Sequence, residues 1–237
     1  MMDPAQVEVP FDIMNEYSQM LLARQHRIVW RSMQENELWY ELVRCILSSN
    51  VPYELAVSAW THLRDSELID PARITSSTFS RCYETISSDL KKSIYLPKKK
   101  DGSYRKYRFP NVRARDIVDA ALFLYSQNLG LRGLLEQFSS ETDARDFLRK
   151  NVSGVGMKEA SHFLRDIGYA DSLAIVDSHI ISFLREMGVA QIQQVTLTPK
   201  RYEELEQSLR KISSDRGLNL AVFDMAIWRC MKGSNGH

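Results

Sequence analysis

The sequence predicts an all-α fold. Apolar residues recur at three- and four-residue spacing along most of the 237-residue chain, the pattern of helices that each bury one face. The interruptions fall at glycines, prolines and capping residues, where helices start and stop. Strand-like alternation is confined to QIQQVTLT at residues 191–198, which is short and has no obvious partner to pair with.

Taken in order, Ile13, Met14, Tyr17, Met20 and Leu21 share one helical face, and Leu38, Leu42, Cys45 and Ile46 share the next. Pro52 suits the first turn of a helix carrying Leu55, Ala59, Trp60 and Leu63, because the missing N–H is not needed there. Residues 97–110 are rich in Lys, Gly and Pro and read as a loop. Asn111 is placed to cap a helix bearing Ile117, Ala120, Ala121 and Leu124. Residues 141–150 form another helix, and Ala160, Phe163, Leu164 and Ile167 line one that Gly168 ends. Ile180, Ile181 and Leu184 follow, closed by Gly188. Thr198 and Pro199 are an N-cap and first-turn pair for Tyr202, Leu205, Leu209 and Ile212. Residues 218–231 are apolar over much of their surface and should be buried.

With 44% hydrophobic and 26% charged residues, the chain can build a sizeable core in one large or two small domains. No run of 18 apolar residues exists, so no membrane span is expected. The opening MMDPAQVEVPFDIM has neither a basic stretch nor a continuous apolar run and does not read as a secretory signal. Cys45, Cys82 and Cys230 are far apart and make no zinc or iron–sulfur spacing. No metal is expected, and a cytoplasmic, reducing location fits best.

Net charge is only +1, but it is unevenly spread. Residues 91–115 carry ten Lys and Arg against one acid, Asp101, so this segment bears +9 and the rest of the chain −8. A basic stripe on a mildly acidic body is the electrostatic footprint of a nucleic-acid binder. Lys98, Lys99, Lys100, Arg105 and Arg108 are the candidate phosphate contacts, with Tyr95, Tyr104, Tyr107 and Phe109 interleaved as stacking surfaces. The alternative is a solvated basic loop.

Between the helices at 141–150 and 157–168 lies NVSGVG. Gly154 and Gly156 let the backbone turn tightly, and Val152 and Val155 pin the turn. Amides at the start of a helix bind anions, and a phosphate is the natural guest. Such a contact positions a duplex without reading its sequence.

The run from Val152 to Ala160, VSGVGMKEA, resembles the helix–hairpin–helix motif, with Ser153 where the motif has proline. CILSSN at residues 45–50, YRFPNVRA at 107–114 and VDSH at 176–179 extend the likeness. The chain resembles the helix–hairpin–helix DNA glycosylase superfamily, most closely the short, second-type 8-oxoguanine DNA glycosylase/lyases. The likeness covers the whole chain in outline and is strongest at residues 45–50, 107–114 and 152–179.

The resemblance implies two helical lobes with the active site in the cleft between them: a continuous lobe at 36–171 ending in the hairpin, and a second from 1–35 plus 172–237. It implies a bifunctional enzyme that excises 8-oxoguanine from double-stranded DNA and cleaves the abasic site by β-elimination, acting as a monomer. Lys158 stands at the family's nucleophilic lysine and Asp177, 19 residues later, at its aspartate. An amine attacking the sugar leaves a Schiff base, and the carboxylate stabilises the sugar cation and accepts a proton. The target base must leave the stack to be reached.

His162 lies one turn beyond Lys158, and Asp224, among apolar neighbours, precedes Trp228 by four residues. These three are base-pocket candidates, with Trp228 a stacking platform. The resemblance adds the C-terminal carboxylate of His237, although the family usually ends in lysine. An iron–sulfur cluster, carried by some superfamily members on four cysteines, is excluded by the cysteine count; no cofactor is implied, with room for a monovalent cation on hairpin carbonyls. Two other readings stay open: a related glycosylase for another damaged base, and a non-catalytic hairpin module in which Lys158 binds phosphate and Asp177 is an N-cap worth about 1 kcal/mol.

Overall fold

The computed structural model describes residues 16, 19, 20, 30–126, 129–189 and 197–234. Among these, the elements are helices, joined by loops with one isolated antiparallel bridge between Tyr95 and Arg105. No helix of the described residues is long and apolar enough to cross a membrane. The chain divides into two compact units, one from Trp30 to Ile167 and one comprising Gly168 to His237 with Met1 to Val29.

In the first unit the helices are α1 (Glu35–Ser48), α2 (Tyr53–Asp65), α3 (Pro71–Thr75), α4 (Phe79–Leu90), α5 (Pro110–Tyr125), α6 (Gly130–Leu135), α7 (Glu141–Asn151) and α8 (Met157–Asp166). The organising element is α1, which packs against α2, α5, α6 and α8. It is surrounded because it is apolar on more than one face: Leu38, Trp39, Leu42, Val43, Cys45, Ile46 and Leu47 are all fully buried. Each buried Leu or Ile contributes about 1.5–3 kcal/mol, so packing more than propensity holds this helix. Trp39 also donates its indole N–H to the Ile69 carbonyl at 2.6 Å. The helices expected in this unit stand, with two changes at their starts. Pro52 is the N-cap of α2 rather than a first-turn residue. Phe109 caps α5 because Pro110 takes the first turn, and the Asn111 side chain accepts from Ser87 Oγ at 2.7 Å instead.

The second unit holds α9 (Ser178–Glu186), α10 (Pro199–Asp215) and α11 (Leu220–Ser234). Both α9 and α10 pack on α11, whose apolar surface explains its central place. Phe183 and Phe223 meet edge to face at 5.9 Å within this core. Thr198 caps α10 by accepting the Arg201 amide at 3.2 Å, as its sequence position predicts. Of the apolar face expected at residues 13–21, only Met20 is among the described residues, where it is helical and exposed. The alternating stretch at 191–198 lies outside them except for Leu197 and Thr198, and His237 lies outside them altogether.

Candidate active site

The hairpin joins α7 to α8 through residues 152–156. The Val155 amide closes the turn on the Val152 carbonyl at 3.2 Å, and both valines are buried. Gly154 has φ +76°, a conformation that disfavours side chains. It also faces Asp116 of α5 so closely that a Cβ would lie 2.7 Å from the Asp116 Cβ. Ser153, standing where the motif has proline, donates to Asp116 Oδ1 at 3.0 Å. Asp116 is in turn paired with Arg113 at 2.7 Å, and Arg113 reaches the Ser49 carbonyl at 3.2 Å. The turn is therefore braced against α5 and the end of α1. Gly156 donates its amide to Glu159 Oε2 at 3.2 Å, a local N-terminal cap.

Lys158 is in the first turn of α8, partly exposed, with its Nζ 3.3 Å from Glu159 Oε1. Glu159 is buried, which works against its charge, but Lys158 and the Ser49 hydroxyl outweigh burial and hold its carboxyl below the ordinary value. His162, one turn on, has its Nε2 3.1 Å from Asp166, which also pairs with Arg44 of α1. Burial favours the neutral ring, yet Cys45 and Asp166 push it up, to about 10. His162 is thus engaged in the packing of α8 against α1.

In the second unit, Asp177 is the N-cap of α9. Its Oδ1 accepts from the amides of His179 at 2.9 Å and Ile180 at 3.0 Å. No partner of Oδ2 is found among the described residues. The edge of the His179 ring meets Trp228 at 6.4 Å, so Trp228 of α11 stands beside the entry of α9. Asp224 is buried and its Oδ2 accepts the Ile175 amide at 2.8 Å. That contact gives the carboxylate a reason to be inside the protein other than a base.

The basic stripe lies on the loop between α4 and α5, apart from Arg113 and Arg115 in the first turns of α5. Tyr95 and Tyr107 anchor it from within: both are buried, Tyr95 donating to Asp89 and Tyr107 to the Leu47 carbonyl at 2.6 Å. These two tyrosines are structural and not the stacking surfaces expected of them; Tyr104 is exposed. Lys98 lies over the Tyr104 ring at 4.6 Å, Arg105 Nε donates to the Pro97 carbonyl at 2.8 Å, and Arg108 to the Asn50 carbonyl at 3.3 Å. Lys99 and Lys100 are exposed beside Asp101. Arg113, the one buried cation of the segment, belongs to the hairpin brace.

Sequence reasoning missed Glu159, Asp116 and Arg113. The first had a signal, since a carboxylate three residues after an N-cap is a capping pattern. Asp116 had none, because its partner at Gly154 is remote in the chain. No group of three or more His, Cys, Asp or Glu side chains suited to a metal is found among the described residues.

Residues 21–218 match the family described as 8-oxoguanine DNA glycosylase. The chain is 30% identical over 224 residues to the 8-oxoguanine DNA glycosylase/AP lyase of Korarchaeum cryptofilum, covering 92% of this chain and 94% of that protein. It is 33% identical over 201 residues to that of Methanocaldococcus jannaschii, covering 84% and 83%. Among solved structures, the M. jannaschii 8-oxoguanine glycosylase/lyase in complex with a 15mer DNA containing 8-oxoguanine is similar at a TM-score of 0.71 and 28% identity, over 91% of each chain. The 8-oxoguanine DNA glycosylase of Thermotoga maritima is similar at a TM-score of 0.71 and 26% identity, covering 94% of this chain and 93% of that one.

Proposed function

The chain belongs to the 8-oxoguanine DNA glycosylase family, and on that premise we propose that it excises 8-oxoguanine from double-stranded DNA and cleaves the abasic site it leaves. The observation that carries the reading is the state of the two candidate groups. Lys158 presents an amine from the first turn of the hairpin helix. Asp177 commits one carboxylate oxygen to its helix and keeps the other uncommitted among the described residues.

In the proposed step the Lys158 amine bonds to C1′ of the flipped nucleotide as the C1′–N9 bond breaks. The base leaves with the bonding pair and takes up a proton. Asp177 offsets the positive charge on the sugar and accepts the proton that the amine sheds. The sugar ring opens to an imine, loss of a C2′ proton expels the 3′ phosphate, and water releases the enzyme. Amine, carboxylate and water suffice for this sequence, so the proposal includes no metal or cofactor. Gly156 spends its amide on Glu159, so backbone phosphates fall to Gly154, the turn's remaining amides and the exposed basic loop. Work on DNA implies an intracellular place for the enzyme.

A second reading has its own support: Lys158 paired with Glu159 and Asp177 capping α9 are also what a purely DNA-binding hairpin protein would show. Borohydride trapping separates the two. Duplexes each carrying one lesion are incubated with the protein and reductant. A covalent adduct on the 8-oxoguanine duplex above all others is expected. Binding with no adduct would establish the module, and an adduct on a different lesion would redirect the substrate.

A further inference from the structure

Residues 173–176 lead into the N-cap of α9 without regular secondary structure, and their amides have no strand to meet. In a helical protein such a strip must find its acceptors among side chains. The Ala174 amide donates to Glu206 Oε1 at 2.8 Å, the Ile175 amide to Asp224 Oδ2 at 2.8 Å, and the Val176 amide to the Tyr202 hydroxyl at 2.9 Å. Tyr202 completes the clasp by donating its hydroxyl proton to the Ala174 carbonyl at 2.8 Å. Just upstream, Arg210 donates to the Ser172 carbonyl at 2.7 Å, and just downstream the Asp177 amide turns back on the Ile175 carbonyl at 2.9 Å.

Two features set this apart from ordinary backbone satisfaction. Glu206 and Asp224 are both buried, at 4% and 3% exposure, and burying a carboxylate is costly even when it is bonded. Serine, asparagine or glutamine would accept an amide with less desolvation. Moreover, Tyr202, Glu206 and Arg210 are spaced by four along α10, so one stripe of that helix faces the strip from end to end. Carboxylate acceptors make shorter, stiffer bonds to amides than neutral ones. Two such bonds and the Tyr202 hydroxyl, on three successive residues, leave the chain one register in which to enter α9.

We propose that Tyr202, Glu206 and Asp224 are positioning residues for Asp177, holding the 174–176 strip so that the Asp177 carboxylate meets the sugar at a fixed place. The proposal rests on the reading of Asp177 as the catalytic carboxylate. The three residues act through the backbone and touch no substrate. Asp224, a base-pocket candidate by sequence, takes this role instead.

The test uses Tyr202→Phe, which keeps the ring and removes both hydroxyl bonds. Single-turnover excision from an 8-oxoguanine duplex at saturating enzyme should fall about 10- to 100-fold, the scale of loss from a misplaced reacting group. Affinity for undamaged duplex should hold, and borohydride trapping on a duplex with a preformed abasic site should fall less than excision, because there no base remains to be expelled and only the proton-accepting part of Asp177 is needed. In an Asp177→Asn background, Tyr202→Phe should cost nothing further, since the carboxylate it positions is gone. A second pair guards against misfolding. Glu206→Ala should lower excision, and Glu206→Gln, whose carboxamide oxygen still accepts the Ala174 amide, should restore most of it. Equal losses from Tyr202→Phe with and without Asp177→Asn would overturn the proposal, as would wild-type excision in Tyr202→Phe or failure of Glu206→Gln to recover. Wild-type excision in Asp177→Asn alone would overturn the reading of Asp177 itself, a result distinct from each of these.

Discussion

The turn at 152–156 and the strip at 173–176 have the same task, to deliver the chain into the first turn of a helix, and they dispose of their amides in opposite ways. The turn works locally. Val155 bonds back to Val152, Gly156 to Glu159, and Gly154 supplies the left-handed conformation. The strip relies on side chains 32, 49 and 26 residues away at Glu206, Asp224 and Tyr202. A locally satisfied turn can be carried by a short motif. A strip satisfied from afar depends on a whole unit being folded. The amine therefore sits beyond a turn that satisfies its own amides and is only braced from outside, by Asp116, and the carboxylate on a strip that any disturbance of α10 or α11 can shift.

The largest effect that sharpens this contrast is at Lys158. Lys158→Gln should abolish the borohydride adduct completely while duplex binding persists, because neither the turn nor its Asp116 brace involves the amine. Gel analysis of trapped complexes beside a binding titration reads both. An adduct surviving in this variant would move the nucleophile elsewhere.

Next is Asp177→Asn. The carboxamide oxygen can still accept the His179 and Ile180 amides, so α9 should keep its cap and thermal unfolding should change little. Excision should fall on the order of 100-fold with loss of the charge. Single-turnover rates decide it: undiminished excision would reduce Asp177 to a cap.

How far the sequence disclosed these two regions follows from the same contrast. The hairpin was legible because its glycines, its valines and Lys158 lie within seven residues, and the helices on either side show clean apolar spacing. The strip was illegible beyond Asp177. Tyr202 looks like one more apolar-face residue of α10, Glu206 like an ordinary polar position and Asp224 like a base-pocket group, and only the folded unit shows them turned toward the strip. Likewise α4 escapes periodicity because Ser87 and Asp89 are among its buried positions. Most of the basic stripe is loop, as its Lys, Gly and Pro content predicts, with Arg113 and Arg115 on α5; Tyr95 and Tyr107 differ from the expectation because a loop anchor and a stacking platform have the same sequence appearance.

A smaller effect is expected from Lys98, Lys99 and Lys100, replaced together by Ala. If all three meet phosphate, the slope of log affinity against log salt should flatten by roughly three units, at about −0.9 per contact. Damaged and undamaged duplex should weaken alike, and excision at saturating enzyme should hold, since neither helix entry is touched. A titration across salt concentrations reads the slope, and an unchanged value would leave the stripe a solvated loop.

The smallest effect tests which support holds the turn, the Asp116 brace or the Glu159 cap. Gly154→Ala would place a Cβ 2.7 Å from the Asp116 Cβ in a left-handed conformation. Strain of this kind costs about 1–3 kcal/mol, and Asp116 cannot yield without disturbing its bonds to Ser153 and Arg113. Gly156→Ala is different. Its φ of −93° is ordinary for any residue, and the nearest atom to a new Cβ is Glu159 Oε2 at 2.9 Å, the end of a flexible side chain. That substitution should cost less, by way of a loosened Glu159 cap. Denaturant unfolding of the two variants should rank Gly154→Ala as the more destabilised, with duplex affinity falling in the same order. If Gly156→Ala proved the worse, the Glu159 cap and not the Asp116 brace would be what holds the turn, and the entry to α8 would depend on one carboxylate as the entry to α9 depends on two.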